Sequence, residues 1–442
     1  MPNPDGPRLT ILGGGGFRVP LVYGALLGGD SPVAEVVLYD VDRARLAAIS
    51  AVLHAQAASA PCPPRIRATT DLTGALTGAA FVFSAIRVGG LRGRVIDEQV
   101  ALHEGLLGQE TVGAGGISYG LRTVPVADAI ARRIALVAPD AWIINFTNPA
   151  GLVTEAMAAH LGDRVIGICD SPSALARRVV RALGAAPETV SVEYAGLNHL
   201  GWLTAVREKE RDLLPRLLAD DAAVASFEEG RLFGAARLRE LGAVPNEYLH
   251  YYYDHDALVR RSRAADETRG EFLLRQQTEV YAHLSGADPL GAWERALRQR
   301  DATYMAMEGL GERDDAEGGG YERVALDLMT AIARDVPASL ILNVRNRGTV
   351  PFLDDSAVVE VPCRVDASGA VPVDAGTVPA HGVTLVKRVK ATERAVLDAA
   401  ATGSRAVAVR AMAGHPLIDS VPVGRRLVAA YQRKFPELDY LR

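Results

Sequence analysis

Two residues near the middle of the chain, Cys169 and His199, have side chains that suit a divalent metal ion. Cys169 and Asp170 end a short apolar run, and His199 lies in the later segment GLNHL. A thiolate and an imidazole with oxygen donors nearby form an open metal site when a bound molecule completes the shell. The alternative is that the cysteine and the histidine are core residues, because sequence spacing does not prove proximity.

A tyrosine-rich segment, YLHYYY from Tyr248 to Tyr253, offers a candidate proton acceptor. Most tyrosines in such a run pack the apolar ring and keep the polar tip hydrated. One tyrosine beside a bound metal ion would ionise more easily and act as a general base. The residues alone do not decide which tyrosine this is.

Two polar loops follow predicted strands and are candidates for ligand binding. The first, RVGGLRGR from Arg87 to Arg94, has arginines that suit binding of a phosphate or carboxylate. The alternative is that these arginines are solvated and pair with the acidic residues that follow them. The second, NFTNP, contains Asn145 and Asn148, whose amides suit binding of sugar hydroxyls or a nicotinamide. The alternative is an Asx-turn that caps the next helix. Position favours ligand binding for the arginine loop, because open α/β sheets bind ligands at the carboxyl ends of their strands.

A glycine-rich turn after the first predicted strand indicates a dinucleotide site. Such a turn lets the backbone approach a pyrophosphate. Asp40 ends the second predicted strand, where an acid binds a ribose diol and favours NAD over its 2′-phosphorylated form. A tight turn without a nucleotide is the alternative, since the usual third glycine falls on Arg18. The predicted cofactor-binding residues are Gly13, Gly14, Gly15, Gly16, Phe17, Asp40 and Asn145.

The elements that must position these residues alternate between strand and helix in the first part of the chain. Strands are predicted at residues 8–12, 33–39, 81–86, 141–146 and 164–168, and helices at 19–27 and 152–160. This alternation predicts the α/β class, with a Rossmann-like, doubly wound and mainly parallel sheet of the lactate and malate dehydrogenase type.

The pattern of predicted helices and strands changes in the second half of the chain. Helices are predicted at residues 256–284, 290–307 and 386–413, strands at 351–366 and 371–385, and a mobile charged loop at 311–320. We therefore expect two intertwined domains, an NAD-binding Rossmann domain at residues 1–195 and an α+β domain at residues 196–442.

The composition excludes several classes of partner. The 442 residues carry 48 Lys and Arg against 53 Asp and Glu, a formal net charge of −5, and no basic run that would favour nucleic acid. No long apolar stretch predicts a membrane span. The polar N-terminus does not resemble a signal peptide, and three cysteines make a disulfide framework implausible. The expectation is a cytoplasmic enzyme.

Taken together, the motifs resemble those of glycoside hydrolase family 4, the NAD- and divalent-metal-dependent glycosidases, and most closely its 6-phospho-β-glucosidases. The ordered set spans nearly the whole chain: GGGGFRVP, GQET, NFTNP, GICD, GLNH, NEYL, NVRNRG, EVPC and HPL. The resemblance implies bound NAD and Mn²⁺, a phosphorylated glycoside as substrate, and a homodimer or homotetramer. It assigns binding of substrate and metal, and oligomer contacts, to residues 196–442.

The resemblance also implies a reaction, one that differs from two-carboxylate glycoside hydrolysis. NAD would take hydride from C3 of the sugar, and a metal ion held by Cys169 and His199 would polarise the resulting ketone. Tyr248 matches the family's base and would remove the C2 proton. The aglycone then leaves by elimination, water adds to C1 and the hydride returns, so there is no net redox change.

Substrate contacts are implied for Arg94, Asn148 and Arg269, which match family residues near the sugar phosphate or hydroxyls. Asp170 is a departure, because the family's β-glucosidases typically have asparagine after the cysteine. An acid there resembles the α-glycosidase branch, in which it is thought to protonate the leaving group. We expect hydrolysis of 6-phospho-β-glucosides. The alternatives are a family 4 α-glycosidase, a glycosidase for unphosphorylated sugars, an NAD-dependent dehydrogenase and a non-catalytic sugar-phosphate sensor.

Overall fold

The structure is a computed structural model that describes residues 6–28, 31–303, 320–373, 375–418 and 420–442. Its strands are β1 Arg8–Leu12, β2 Glu35–Tyr39, β3 Arg65–Thr69, β4 Phe81–Ser84, β5 Trp142–Asn145, β6 Val165–Gly167, β7 Ser191–Leu197, β8 Leu200–Glu208, β9 Arg211–Asp212, β10 Val244–Pro245, β11 Ala338–Arg345, β12 Val358–Asp366 and β13 Gly369–Pro372.

The α-helices are α1 Val19–Ala25, α2 Arg43–Ala57, α3 Leu72–Leu76, α4 Gly90–His103, α5 Gly113–Val137, α6 Ala150–Leu161, α7 Ser171–Ala182, α8 Leu214–Ala219, α9 Asp221–Ala225, α10 Glu228–Phe233, α11 Ala235–Leu241, α12 His250–Tyr253, α13 His255–Ala264, α14 Arg269–His283, α15 Pro289–Ala302, α16 Tyr321–Arg334, α17 Ala380–Thr402, α18 Arg405–Gly414 and α19 Val421–Lys434. Short 3₁₀ turns lie at Gly162–Arg164, Pro187–Thr189, Glu247–Leu249 and Pro436–Leu438.

One sheet runs through the molecule in the order β10-β8-β7-β12-β11-β6-β5-β4-β1-β2-β3, and off this path β9 pairs with β8 and β13 pairs with β12. The six strands β3-β2-β1-β4-β5-β6 are parallel to their neighbours and follow the doubly wound dinucleotide-binding order. Most apolar side chains of β1, β2, β4, β5 and β6 are buried, as a sheet covered by helices on both faces requires, whereas the edge strand β3 is partly exposed. The predicted α/β class and Rossmann-like sheet are confirmed.

The remaining strands extend this sheet in antiparallel fashion. β11 pairs with β6 through Asn343 and Gly167, and β12 pairs with β7 through Glu360 and Gly196. Two strands from late in the chain therefore lie between β6 and the β7–β8 hairpin. The sheet is continuous across residue 195, and the domain boundary there stays a prediction.

Several predicted elements of the second half are wrong in detail. Among the described residues of 371–385, strand pairing covers only Val371 and Pro372 at the end of β13, and α17 begins at Ala380 directly after Pro379. The predicted helix at 256–284 is two helices, because the side chain of Thr268 caps a new helix start. The helix at 386–413 is also divided, at Gly403, whose φ of +68° ends α17. The predicted loop at 311–320 lies, except for Gly320, outside the described residues.

Across the described ranges, no helix combines the length and the apolar character needed to cross a membrane.

Candidate active site

A large cavity of about 1020 Å³ lies at the carboxyl ends of the parallel strands. Its walls include residues that directly follow β1, β2, β4, β5 and β6, which is where open α/β sheets bind ligands. Most of the predicted site residues line it: Gly13, Gly16, Phe17, Asp40, Arg94, Asn148, Cys169, Asp170, His199, Tyr248 and Arg269. Gly14, Gly15 and Asn145 lie behind this surface.

The glycine turn has a shape that larger residues would not allow. Gly13 has a φ of +82°, and a Cβ atom on Gly14 would lie 2.7 Å from the Cβ of Leu38. A Cβ on Gly16 would lie 2.9 Å from the carbonyl oxygen of Gly13. Asp40 accepts a hydrogen bond from the backbone N–H of Gly15 at 3.0 Å and lines the cavity beside the turn. This bare backbone with an adjacent carboxylate fits a dinucleotide.

The second half of the chain closes over the glycine turn. Tyr281 on α14 donates a hydrogen bond to the carbonyl oxygen of Gly15 at 2.6 Å, and Trp293 on α15 donates to that of Phe17 at 2.8 Å. The guanidinium carbon of Arg45 lies 3.9 Å from the centroid of the Tyr281 ring. The sequence does not reveal the roles of Tyr281 and Arg45, because no local signal links α14 to a turn in the first strand–helix unit.

The two asparagines of the NFTNP loop have different roles, because Asn145 supports the loop conformation and Asn148 lies on the cavity wall. The buried Asn145 amide donates to the carbonyl oxygens of Thr147 and Ala150, and its Oδ1 accepts the Thr147 N–H at 3.1 Å. Asn145 therefore forms the Asx-turn, and the structure does not place it on the cavity wall. Asn148 does line the cavity, and its Oδ1 is buried without a hydrogen-bond partner among the described residues. An unpaired acceptor of this kind fits a sugar hydroxyl.

Three different elements bring together the candidate metal ligands and the candidate base. Cys169 and Asp170 lie in the short connection between β6 and α7, one residue beyond the end of β6. His199 lies at the tip of the β7–β8 hairpin with a φ of +61°, a backbone conformation that favours glycine. Tyr248 lies in the 3₁₀ turn before α12, and its ring stacks on the His199 ring with centroids 3.6 Å apart and an interplanar angle of 2°.

Electrostatics make these side chains compatible with a divalent cation. Burial lowers the pKa of His199 to about 4, so its imidazole is neutral and has a lone pair to offer. Burial also raises the pKa of the Cys169 thiol well above its ordinary value, and the nearby Glu360 and Asp170 raise it further. A bound cation would reverse this by displacing the thiol proton.

The described residues provide no cluster of three His, Cys, Asp or Glu side chains that would enclose a metal ion. A thiolate and a neutral imidazole such as those of Cys169 and His199 suit an open site, in which a substrate and water supply the remaining ligands.

The buried carboxylate of Glu360 supports the β7–β8 hairpin, and the sequence did not predict this role. Glu360 on β12 is fully buried and accepts hydrogen bonds from Tyr194, Asn198 and Asn343 at 2.9–3.0 Å. Burial raises its pKa to about 7, although these three hydrogen bonds act in the opposite direction. Because Asn198 immediately precedes His199, this network fixes the hairpin tip that carries the histidine.

One part of the cavity wall is rich in guanidinium groups. Glu110 accepts hydrogen bonds from Arg87 at 2.6 Å and from Arg94 at 2.7 Å. Burial would raise the pKa of Glu110, but these two arginines outweigh it and lower the pKa to about 2. Arg18, Arg269 and Arg300 also line the cavity. The arrangement favours an anionic group on the bound molecule.

Comparison with known proteins agrees with this geometry. Residues 8–185 match the family model described as family 4 glycosyl hydrolase, and residues 194–418 match the model of its C-terminal domain. A probable 6-phospho-β-glucosidase of Bacillus subtilis is 31% identical over 437 residues, which cover 96% of this chain and 95% of that protein.

Solved structures show the same similarity. The 6-phospho-β-glucosidase of Thermotoga maritima with NAD and glucose-6-phosphate has a TM-score of 0.82 and 25% identity, and a 6-phospho-α-glucosidase from gut microorganisms with NAD and Mn²⁺ has 0.81 and 27%. Each covers 97% of this chain and 98% of the other. A deep-sea metagenome lactate dehydrogenase shares the fold alone, with a TM-score of 0.52, 15% identity and coverage of 90% of this chain and 99% of the other. This chain belongs to the family 4 glycosyl hydrolases.

Proposed function

We propose that this protein hydrolyses 6-phospho-β-glucosides with bound NAD and a divalent metal ion such as Mn²⁺. The observation that carries the proposal is one cavity with three separate regions. These are the glycine turn with Asp40, the Cys169 and His199 pair beside Tyr248, and the guanidinium-rich wall. Support comes from the related structures that contain NAD, Mn²⁺ or glucose-6-phosphate.

The chain's own residues account for each requirement of the reaction. Bound NAD and metal would supply reversible oxidation at C3 and polarisation of the carbonyl formed there. Cys169 and the neutral His199 would hold the metal ion, and the Tyr248 hydroxyl would accept the C2 proton. Its ring is fixed for that role by the stack on His199. Asn148, with its unpaired Oδ1, would hold a sugar hydroxyl.

A second candidate is hydrolysis of 6-phospho-α-glucosides. Asp170 lines the cavity directly beside Cys169, where a carboxylic acid can reach a leaving-group oxygen. Among the relatives, a maltose-6′-phosphate glucosidase of Bacillus subtilis is 29% identical over 98% of this chain and 97% of that protein.

The deciding experiment measures release of p-nitrophenol from four substrates, the α- and β-glucosides with and without a 6-phosphate. Each reaction contains NAD, Mn²⁺ and a thiol reductant. Cleavage of the phospho-β-substrate alone, lost when NAD or Mn²⁺ is removed, is the expected result. Cleavage of the phospho-α-substrate instead would favour the second candidate. No cleavage of any substrate would contradict the glycosidase proposal.

The proposed reaction path has its own test. Product formed in D₂O should carry deuterium at C2, and substrate deuterated at C2 should react more slowly, because the C2 proton is removed during turnover. An active enzyme without either effect would refute this path. Net accumulation of NADH would indicate a dehydrogenase instead, since the proposed path returns the hydride.

A homodimer or homotetramer and a cytoplasmic location stay predictions, and light scattering would measure the oligomer size.

A further inference from the structure

The guanidinium-rich wall contains one arginine that neither the sequence nor the family resemblance singled out. We name as the anion pocket the side chains of Arg18, Arg87, Arg94, Arg269 and Arg300 with the carboxylates of Glu98 and Glu110. All seven side chains line the cavity. Their formal charges leave this pocket three units positive among the described residues, which suits a phosphate monoester dianion.

The first arginine assigned to the phosphate by resemblance is already occupied by protein groups. Arg94 donates from Nε to Glu98 at 2.7 Å and from Nη1 to Glu110 at 2.7 Å. Glu98 in turn accepts the backbone N–H of Gly270 at 2.8 Å, which holds the start of α14 against α4. Arg94 is therefore neutralised on two sides, and much of its role is to join α4 to α14.

The second assigned arginine is also occupied. Arg269 donates from Nη1 to the Thr303 hydroxyl at 2.7 Å and from Nη2 to the carbonyl oxygen of Arg300 at 3.1 Å. These acceptors lie at the carboxyl-terminal end of α15, where a cation interacts favourably with the helix dipole. Arg269 thus fixes the backbone position from which the Arg300 side chain projects.

Among the described residues, the guanidinium of Arg300 is not occupied by protein acceptors in the way that those of Arg94 and Arg269 are. Within the described part of the chain, its guanidinium donates no hydrogen bond to a protein acceptor, and its Cζ lies 5.9 Å from the centroid of the Phe17 ring. Arg18, Arg94 and Arg269 surround it with like charge. Five N–H donors in a planar fork are therefore available on the cavity wall.

We propose that Arg300 is the specificity-determining residue that binds the sugar phosphate through a bidentate hydrogen-bonded pair, while Arg94 and Arg269 position it and add charge. This inference rests on the proposed function and names the residue that selects a phosphorylated sugar. Electrostatics support the geometry, because burial and the three neighbouring arginines lower the pKa of Arg300 well below its ordinary value. An incoming dianion would relieve that repulsion.

The test compares Arg300→Met, Arg300→Lys and the control Arg298→Met, which changes an exposed arginine on the same helix outside the cavity. Calorimetric titration with glucose 6-phosphate, with NAD present, measures binding without turnover. Loss of charge-assisted hydrogen bonds predicts a dissociation constant about 10- to 150-fold higher for Arg300→Met and an unchanged value for Arg298→Met. Arg300→Lys should show an intermediate loss, because an ammonium keeps the charge and not the fork.

Kinetics separate this inference from the proposed function. With the phosphorylated p-nitrophenyl glucoside, Arg300→Met should raise KM by the same factor and leave kcat much less affected. If the wild-type protein hydrolyses the phosphorylated substrate and Arg300→Met binds glucose 6-phosphate within about threefold of it, the inference is overturned and the proposed function stands. If the wild-type protein neither binds nor cleaves phosphorylated sugars, both fail. Should Arg300→Met not fold, the Arg300→Lys titration decides by the same criterion.

Discussion

Replacing Tyr248 with phenylalanine removes one hydroxyl and leaves the rest of the site in place. The ring that stacks on His199 at 3.6 Å is retained, and the turn is held by the Asn246 side chain, which accepts the Tyr248 backbone N–H at 3.0 Å. We therefore expect the free energy of unfolding to change by only about 1 kcal/mol.

The catalytic effect of Tyr248→Phe should be far larger. General-base catalysis contributes about 10²- to 10⁴-fold, which corresponds to roughly 3 to 5 kcal/mol of activation free energy. The kcat for p-nitrophenyl 6-phospho-β-glucoside should fall by this factor, and incorporation of deuterium at C2 in D₂O should fall with it. The metal titration should stay close to that of the wild type, because Cys169 and His199 are unchanged.

Tyr252→Phe is the matched control. Tyr252 lies on α12, close to Tyr248 in sequence, but its ring packs near His415 and does not line the cavity. A kcat of Tyr248→Phe within about tenfold of the wild type would refute the assignment of the base. If the variant lost most of its hydrolysis but kept deuterium exchange at C2, this assignment would also be refuted, because Tyr248 would then act in a different step.

Three further predictions concern metal, cofactor and pH. Cys169→Ser should weaken Mn²⁺ or Zn²⁺ binding, with the larger loss for the softer Zn²⁺, and equal loss in calorimetric titrations would contradict a thiolate ligand. Asp40→Ala should raise the dissociation constant of NAD by about 10- to 150-fold in a fluorescence titration, while a small change would exclude a ribose contact. Burial lowers the pKa of His415 to about 3, below that of an unfolded histidine. The unfolded chain therefore binds more protons below pH 6.5, and the free energy of unfolding should fall by up to about 1.4 kcal/mol per pH unit from this group. In His415→Gln, urea unfolding at pH 7.5 and 5.5 should show a smaller difference than in the wild type.

Sequence patterns predicted the first half of the fold well because its signals are local. The apolar run of β1, the glycines after it and the acid that ends β2 each depend on neighbours within a few residues. The second half was harder because its boundaries depend on single capping residues such as Thr268 and on strands that pair with distant partners.

The candidate site also combines residues with local sequence signals and residues that depend on contacts between distant segments. The motifs predict Cys169, His199 and Tyr248 as separate candidates, but only the sheet brings the hairpin tip and the 3₁₀ turn to the end of β6. Arg300 was not found because, in sequence, it is one arginine among several in an ordinary charged helix. Its distinction lies in the groups around it, and those come from the residue that precedes α1 and from α4 and α14.

The insertion of β11 and β12 between β6 and β7 also constrains how the protein is made. Gly167 pairs with Asn343, which the ribosome adds about 180 residues later, or roughly 10 to 40 s at ordinary rates of synthesis. Throughout that interval, the growing chain has an unpaired edge at β6 and a β7–β8 hairpin without its neighbour. Such edges pair with other chains when left open. The half of the molecule that is synthesised first is thus the half most exposed to aggregation, and a nascent chain that stalls before β11 cannot close its own sheet.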